Sequence, residues 1–255
     1  MTNTATFRFY EELNDFLQPE QVKQSFPYVF NGHPAIKDAI EALGVPHTEV
    51  DLIVVNGNSV DFAYQLRPHD RVAVYPVFEG MDISPIVKLR TKPLRDTRFI
   101  LDVHLGKLAG LLRMLGFDSL YRNDYSDDEI IQIALNEHRI ILTRDLGILK
   151  HRTVTHGCYL HNTKPEDQLR EIVHRLQLQD QSHPFTRCIS CNGELKPVNK
   201  QDILDRLPPR TAQIFNTFYQ CTRCDKIYWP GSHYDNMRLK LEKLLHNIHE
   251  YGDCK

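Results

Sequence analysis

Two short hydrophobic segments in the middle of the chain each end in an aspartate. The first reads RFILD at residues 98–102, and the second reads RIILTRD at residues 139–145. Both have the length and apolar composition of buried strands, and helical patterns lie between them. Alternation of strands and helices predicts right-handed βαβ units and a parallel sheet. We therefore expect an α/β domain in which Asp102 and Asp145 follow strand ends.

The positions of Asp102 and Asp145 suggest a shared chemistry. The carboxyl ends of neighbouring parallel strands open onto one crevice, where α/β folds place their ligands. Two carboxylates held together there repel each other, and a divalent cation relieves the repulsion. The first hypothesis is a metal-dependent phosphodiester nuclease. The alternative is that each aspartate is an ordinary strand-end or helix N-cap residue, a role that aspartate also favours.

The pattern of strands, helices and turns divides the chain into four segments. Residues 1–80 combine short strands with one helix and predict an α+β domain. Residues 81–97 contain prolines and scattered charges without a period, and they predict a linker. Residues 98–179 predict the α/β domain, and residues 180–255 predict a small domain that ends in a helix over 237–252.

Four of the six cysteines form two Cys-x-x-Cys pairs, which are Cys188 with Cys191 and Cys221 with Cys224. Four thiolates supply a closed tetrahedral set, which is typical of structural Zn²⁺ and leaves no open position for catalysis. The 29 residues between the pairs exceed the usual spacing and predict an insertion. Chance pairing in a protein without metal is the alternative.

Charge and hydropathy restrict the partners of the chain. Residues 1–80 contain 5 Lys and Arg against 11 Asp and Glu, whereas residues 81–255 contain 26 against 22. The second part is therefore the candidate for RNA or DNA binding, although a solvated surface of mixed charge explains its modest excess nearly as well. The start has no signal-peptide pattern and no apolar run has membrane-spanning length, so we expect a cytoplasmic protein that does not contact a membrane. The oligomeric state stays open.

Two segments of the first domain resemble ubiquitin-like β-grasp proteins of the sulfur-carrier type. They read VNGNSV at 55–60 and DRVAVYPV at 70–77. Such carriers work through a free C-terminal Gly-Gly, whereas this chain has a single glycine in VFEGMDIS at 77–84 and continues beyond it. Sulfur transfer is therefore disfavoured. The resemblance implies a β-grasp fold kept for regulation or for binding a protein partner.

The α/β and cysteine-containing segments resemble PIN-like nucleases of the mut-seven C-terminal RNase family. The matching segments read ILDVHLGKLAGLLRMLGFD at 100–118, SDDEI at 126–130, ILTRDLGIL at 141–149 and YWPGSH at 228–233, together with the two cysteine pairs. The resemblance implies a multidomain protein with a ubiquitin-like β-grasp domain, a PIN-like parallel sheet and a zinc ribbon with a terminal helix. It also implies that Asp102 and Asp145 bind Mg²⁺ or Mn²⁺ and that the reaction is RNA hydrolysis.

A third acidic ligand is harder to assign, because four acidic residues crowd the start of one predicted helix. They are Asp124, Asp127, Asp128 and Glu129. Ser126 with Glu129 fits a capping box, which gives Glu129 a structural role. Alignment with the family pattern favours Asp128 as the metal-site residue, with Asp127 second.

Arg144, between Thr143 and Asp145, is a further catalytic candidate. Its guanidinium suits bidentate contact with the scissile phosphate, and a salt bridge to a neighbouring carboxylate is the equal alternative. The sequence as a whole predicts a metal-dependent ribonuclease with structural zinc. The alternative from a different class is a non-catalytic RNA-binding adaptor with a vestigial PIN-like site.

Overall fold

A computed structural model describes residues 2–76 and 97–251. Most of the predicted linker, residues 81–96, lies outside the described residues. The chain divides into two compact units, the first formed by residues 1–96 with 131–159 and the second by residues 97–130 with 160–255. This division differs from the domains defined by the sequence patterns, whose boundaries stay a prediction.

The N-terminal domain is a mixed β-sheet with one helix. Its elements are β1 (Thr2–Phe9), β2 (Phe26–Asn31), α1 (Ile36–Ala42), β3 (Val50–Val55), β4 (Asn58–Val60) and β5 (Arg71–Pro76). The strand order is β2-β1-β5-β3-β4; β1 and β5 run parallel, and the other pairs are antiparallel. The predicted α+β fold of this domain is confirmed.

Sequence alternation explains how this sheet is held together. In β1, Ala5, Phe7 and Phe9 point inward and are buried, while the residues between them face outward. Their side chains pack with α1 in one apolar core. Between β3 and β4, Asn56 and Gly57 both have positive φ (50° and 86°), as a tight hairpin requires.

The middle of the chain alternates strands with helices. The elements are β6 (Arg98–Leu101), α2 (Gly106–Met114), β7 (Asp118–Leu120), α3 (Asp127–Glu137), β8 (Ile140–Thr143), α4 (Leu146–Lys150), β9 (Gly157–Tyr159) and α5 (Pro165–Arg175). Strand β6 pairs with β7 and β8 pairs with β9, both in parallel. The predicted α/β architecture with a parallel sheet is therefore confirmed, and β6 and β8 are buried apart from exposed Arg98.

The C-terminal part is a small antiparallel sheet followed by a long helix. Its elements are β10 (Leu195–Val198), α6 (Pro209–Ile214), β11 (Phe218–Cys221), β12 (Ile227–Tyr228) and α7 (Ser232–Tyr251). Helix α7 starts five residues earlier than the predicted 237, and serine at its first position is a residue that favours helix starts. None of the helices in the described ranges is long and apolar enough to cross a membrane.

Candidate active site and zinc centre

Asp102 lies directly after strand β6, where the chain turns sharply. Its backbone carbonyl accepts a hydrogen bond from Leu105 N (2.9 Å), which closes a 3-10 turn over Val103–Leu105. The residue is only 6% exposed, and its carboxylate does not cap that turn. Asp102 therefore stands at the N-cap position and at a strand end without making a side-chain capping bond.

Tyr121 and Gly106 fix the turn that follows Asp102, and the sequence patterns did not identify either of them. The Tyr121 hydroxyl donates to the carbonyl of Val103 (2.9 Å). A Cβ atom added at Gly106 would lie 2.7 Å from the Tyr121 ring, so glycine is required for this approach. The sequence signal that could have identified Gly106 is a glycine at the start of a predicted helix.

Asp145 follows strand β8 and is the N-cap of α4. Its Oδ1 accepts a hydrogen bond from Gly147 N (2.6 Å), and its own N–H donates to Thr143 Oγ1 (2.9 Å). The alternative role proposed for this aspartate is therefore present. A carboxylate has two oxygens with several lone pairs, so capping by Oδ1 leaves Oδ2 available to a ligand.

Arg144, next to Asp145, is exposed. It forms no ion pair with any residue in the described ranges. The salt bridge that was the alternative to phosphate contact is thus not found for this side chain.

Three of the four acidic residues before and in α3 have separable surroundings. Asp124 pairs with both ends of the Arg122 guanidinium (2.9 and 2.7 Å), and this hydrogen bonding lowers the pKa of Asp124. Glu129 Oε2 accepts from Ser126 N (2.8 Å), and Glu129 N donates to Ser126 Oγ (3.3 Å). The predicted capping box is therefore confirmed. Asp128 is exposed in the first turn of α3.

Ligand atoms of three or more potential metal-binding residues come together only at the four cysteines, within the residues that the structure describes. Asp102 and Asp128 belong to the second compact unit and Asp145 belongs to the first. Their assignment as one metal site stays a prediction.

The four cysteine sulfur atoms lie within 4.8 Å of one another. The Sγ atoms of Cys188 and Cys224 are 3.7 Å apart, and those of Cys191 and Cys221 are 3.3 Å apart. A tetrahedral Zn²⁺ with Zn–S bonds of about 2.3 Å places its sulfurs roughly 3.8 Å apart. The donor set and its spacing therefore fit a metal such as zinc.

Hydrogen bonds reach the sulfur atoms of Cys221 and Cys188, whereas burial raises the pKa of Cys191 to about 12. The backbone N–H groups of Arg223 and Cys224 point at Cys221 Sγ (3.4 and 3.5 Å). The Tyr228 hydroxyl lies 3.0 Å from Cys188 Sγ. Burial alone raises the pKa of Cys188, but hydrogen bonds from Tyr228 and from the Cys191 backbone outweigh it and lower the pKa to about 6. Such bonds orient and stabilise metal thiolates.

The first cysteine pair is bonded to strand β7 through Asn192. The Asn192 Oδ1 accepts from Ser119 N (2.8 Å), and its Nδ2 donates to Asp118 Oδ1 (2.7 Å). The Arg113 side chain adds a second link, because it donates to the carbonyls of Ser119 (2.9 Å) and Ile189 (3.0 Å). Asn192 therefore occupies the edge of β7 in place of another strand. The four-cysteine cluster and the β6–β7 part of the α/β domain are connected by buried and partly buried hydrogen bonds.

We predict that Asn192→Gly lowers the free energy of unfolding by about 1–3 kcal/mol, because Ser119 N–H is then buried without its acceptor. Glycine tolerates the positive φ of 69° at this position, so the loss reports the missing side chain. Chemical denaturation measures the change. Zinc content, determined by elemental analysis, should stay the same as in the wild type, and unchanged stability would contradict the link.

Two family models match this chain. One is described as the Mut7-C RNAse domain and matches residues 97–241, and the other is described as Mut7-C ubiquitin and matches residues 2–82. A comparison with curated proteins found no match. Since the first model covers more than half of the chain, the protein belongs to the Mut7-C RNAse domain family and carries an N-terminal Mut7-C ubiquitin domain.

Proposed function

We propose that the protein is a divalent-metal-dependent ribonuclease in which Asp102, Asp145 and Asp128 bind Mg²⁺ or Mn²⁺. The observation that carries this proposal is the position of the first two residues. Each follows the carboxyl end of a buried strand in the RNase domain, within one or two residues. Ligands of α/β folds bind at this end of the strands.

The carboxylates of Asp102 and Asp145 suit a hard cation whose remaining ligands are water and the phosphate of the substrate. Mg²⁺ keeps several waters and is held by one or two carboxylates together with substrate phosphates. Asp102 offers a buried carboxylate that is not used as a cap, and Asp145 offers the oxygen opposite its capping bond. A bound ion supplies polarisation of the phosphate and a metal-activated water. The protein residues hold and orient that ion, and no side-chain nucleophile is required.

Arg144 supports the assignment of a phosphodiester substrate. It is exposed, adjoins Asp145 and has no carboxylate partner in the described ranges. A guanidinium presents two parallel N–H donors to a phosphate, so Arg144 can hold the scissile group beside the Asp145 carboxylate. We propose that it contributes to phosphate positioning.

Asp102→Asn and Asp145→Asn are each expected to lower Mn²⁺-dependent cleavage of end-labelled RNA by about 100-fold or more, the effect of removing one transition-state-stabilising group. Asparagine also caps helices, so Asp145→Asn keeps the start of α4 while it removes the charge. The assay compares RNA with DNA in the presence of Mg²⁺, Mn²⁺ or EDTA.

The matched control is Asp205→Asn, which changes an exposed aspartate of the C-terminal part. This variant should cleave RNA like the wild type. Full activity of Asp102→Asn would refute the metal-site assignment. Binding of RNA without cleavage by the wild-type protein, in either metal, would favour the non-catalytic adaptor instead.

Two adjacent residues of α3, Asp128 and Glu129, allow the proposed catalytic role to be tested separately from helix capping. Asp128→Asn should reduce cleavage and leave the melting temperature unchanged, because its exposed carboxylate is assigned to the ion. Glu129→Ala should do the reverse, since it removes the capping-box acceptor Glu129 Oε2 and leaves the proposed metal site untouched. Paired activity and thermal-melting measurements test both, and equal activity of the two variants would exclude Asp128.

A further inference from the structure

The ubiquitin-like domain contacts the segment that carries Asp145, and both belong to the same compact unit. The 3-10 turn His47–Glu49 packs against α4 and β9. The ring of Phe16 meets the ring of Tyr159 edge-on, with centroids 5.6 Å apart. The domain therefore contributes a specific surface to this part of the RNase domain.

The polar residues in this contact are buried and bonded to the Asp145 segment. Glu49 is 1% exposed, and its Oε1 accepts a hydrogen bond from the backbone N–H of Tyr159. His47 is 6% exposed, and its Nε2 lies 2.7 Å from the carbonyl oxygen of Val154. A buried carboxylate is stabilised by the donors that reach it, and the backbone N–H of Tyr159 is one such donor to Glu49. The ubiquitin-like domain and the segment 146–159 therefore share this contact in the folded chain.

Glu49 is connected to Asp145 through the pair of strands β8 and β9. Tyr159, which donates to Glu49, stands opposite Thr143 in the parallel pair of β8 and β9. The hydroxyl of Thr143 accepts from the N–H of Asp145. The position of Asp145 is thereby tied to the ubiquitin-like domain through one strand pair.

Helix α4 is held from its other end as well. It has only five residues, and a helix of that length is not stable without tertiary contacts. Lys150, its last residue, donates from Nζ to the carbonyl oxygen of Glu41 (3.1 Å) near the end of α1. A cation is favourable at the C-terminal end of a helix. The ubiquitin-like domain thus holds the segment on both sides of the Asp145 cap.

We propose that the ubiquitin-like domain is a positioning element for Asp145, acting through Glu49 and Glu41 on β9 and α4. This role rests on the proposed metal-dependent function. Glu49 and Lys150 are positioning residues, because they act through the strand pair and the short helix and contact no substrate. The ubiquitin-like domain is then a structural component of the nuclease.

The test uses the full chain and the variants Glu49→Ala and Lys150→Met, which loosen the contact from opposite sides. Each should accelerate amide hydrogen exchange at residues 146–159 by about tenfold, the effect of one lost hydrogen bond. Each should also lower kcat and raise the half-saturating Mn²⁺ concentration, while KM for RNA stays the same. Glu49→Gln should restore both readouts, since its amide oxygen can accept from Tyr159 N–H.

Glu20→Ala, an exposed acidic residue of the same domain, is the control and should match the wild type in exchange and in Mn²⁺ dependence. Unchanged exchange at 146–159 in both variants would overturn the positioning role. Faster exchange with wild-type kcat and wild-type Mn²⁺ dependence would also overturn it, because the segment would then move without consequence for the ion. Absence of cleavage by the wild-type protein would instead overturn the proposed function, which the exchange measurement does not involve.

Discussion

The hydrogen bond between the Glu49 carboxylate and the backbone of Tyr159 is the contact on which the account of the active site depends most. It buries a charged group of the ubiquitin-like domain against strand β9. Strand β9 pairs with β8, and β8 leads directly into the turn that carries Asp145. A carboxylate that must bind a cation needs a fixed position, and short strands with a five-residue helix do not supply one alone. The neighbouring domain therefore completes the scaffold.

The four-cysteine cluster supports the other strand pair, β6 and β7, in a similar way. Asn192 covers the edge of β7 with its amide, and Arg113 joins α2 to the carbonyls of Ile189 and Ser190 between the first two cysteines. Strand β7 has only three residues and pairs with β6, which ends one residue before Asp102. Each aspartate is thus supported by a module outside the α/β pattern.

Local patterns allowed much of the architecture to be predicted from the sequence. Apolar segments placed β6 and β8 to within a few residues, and the Ser126–Glu129 capping box formed as expected. The supporting contacts could not be predicted in this way. Asn192 lies 73 residues from Ser119, and Glu49 lies 110 residues from Tyr159. Contacts over such separations produce no local pattern in the sequence. Lone polar residues of this kind look like ordinary surface residues until the fold buries them.

The central claim is that Asp102 and Asp145 bind a divalent cation in the presence of RNA. Electron paramagnetic resonance of Mn²⁺ measures this directly in the zinc-loaded full chain with a non-cleavable RNA analogue. The account predicts RNA-dependent Mn²⁺ binding by the wild type that is lost in both Asp102→Asn and Asp145→Asn, while Asp205→Asn binds normally. Equal Mn²⁺ binding by the wild type and the two active-site variants would contradict it.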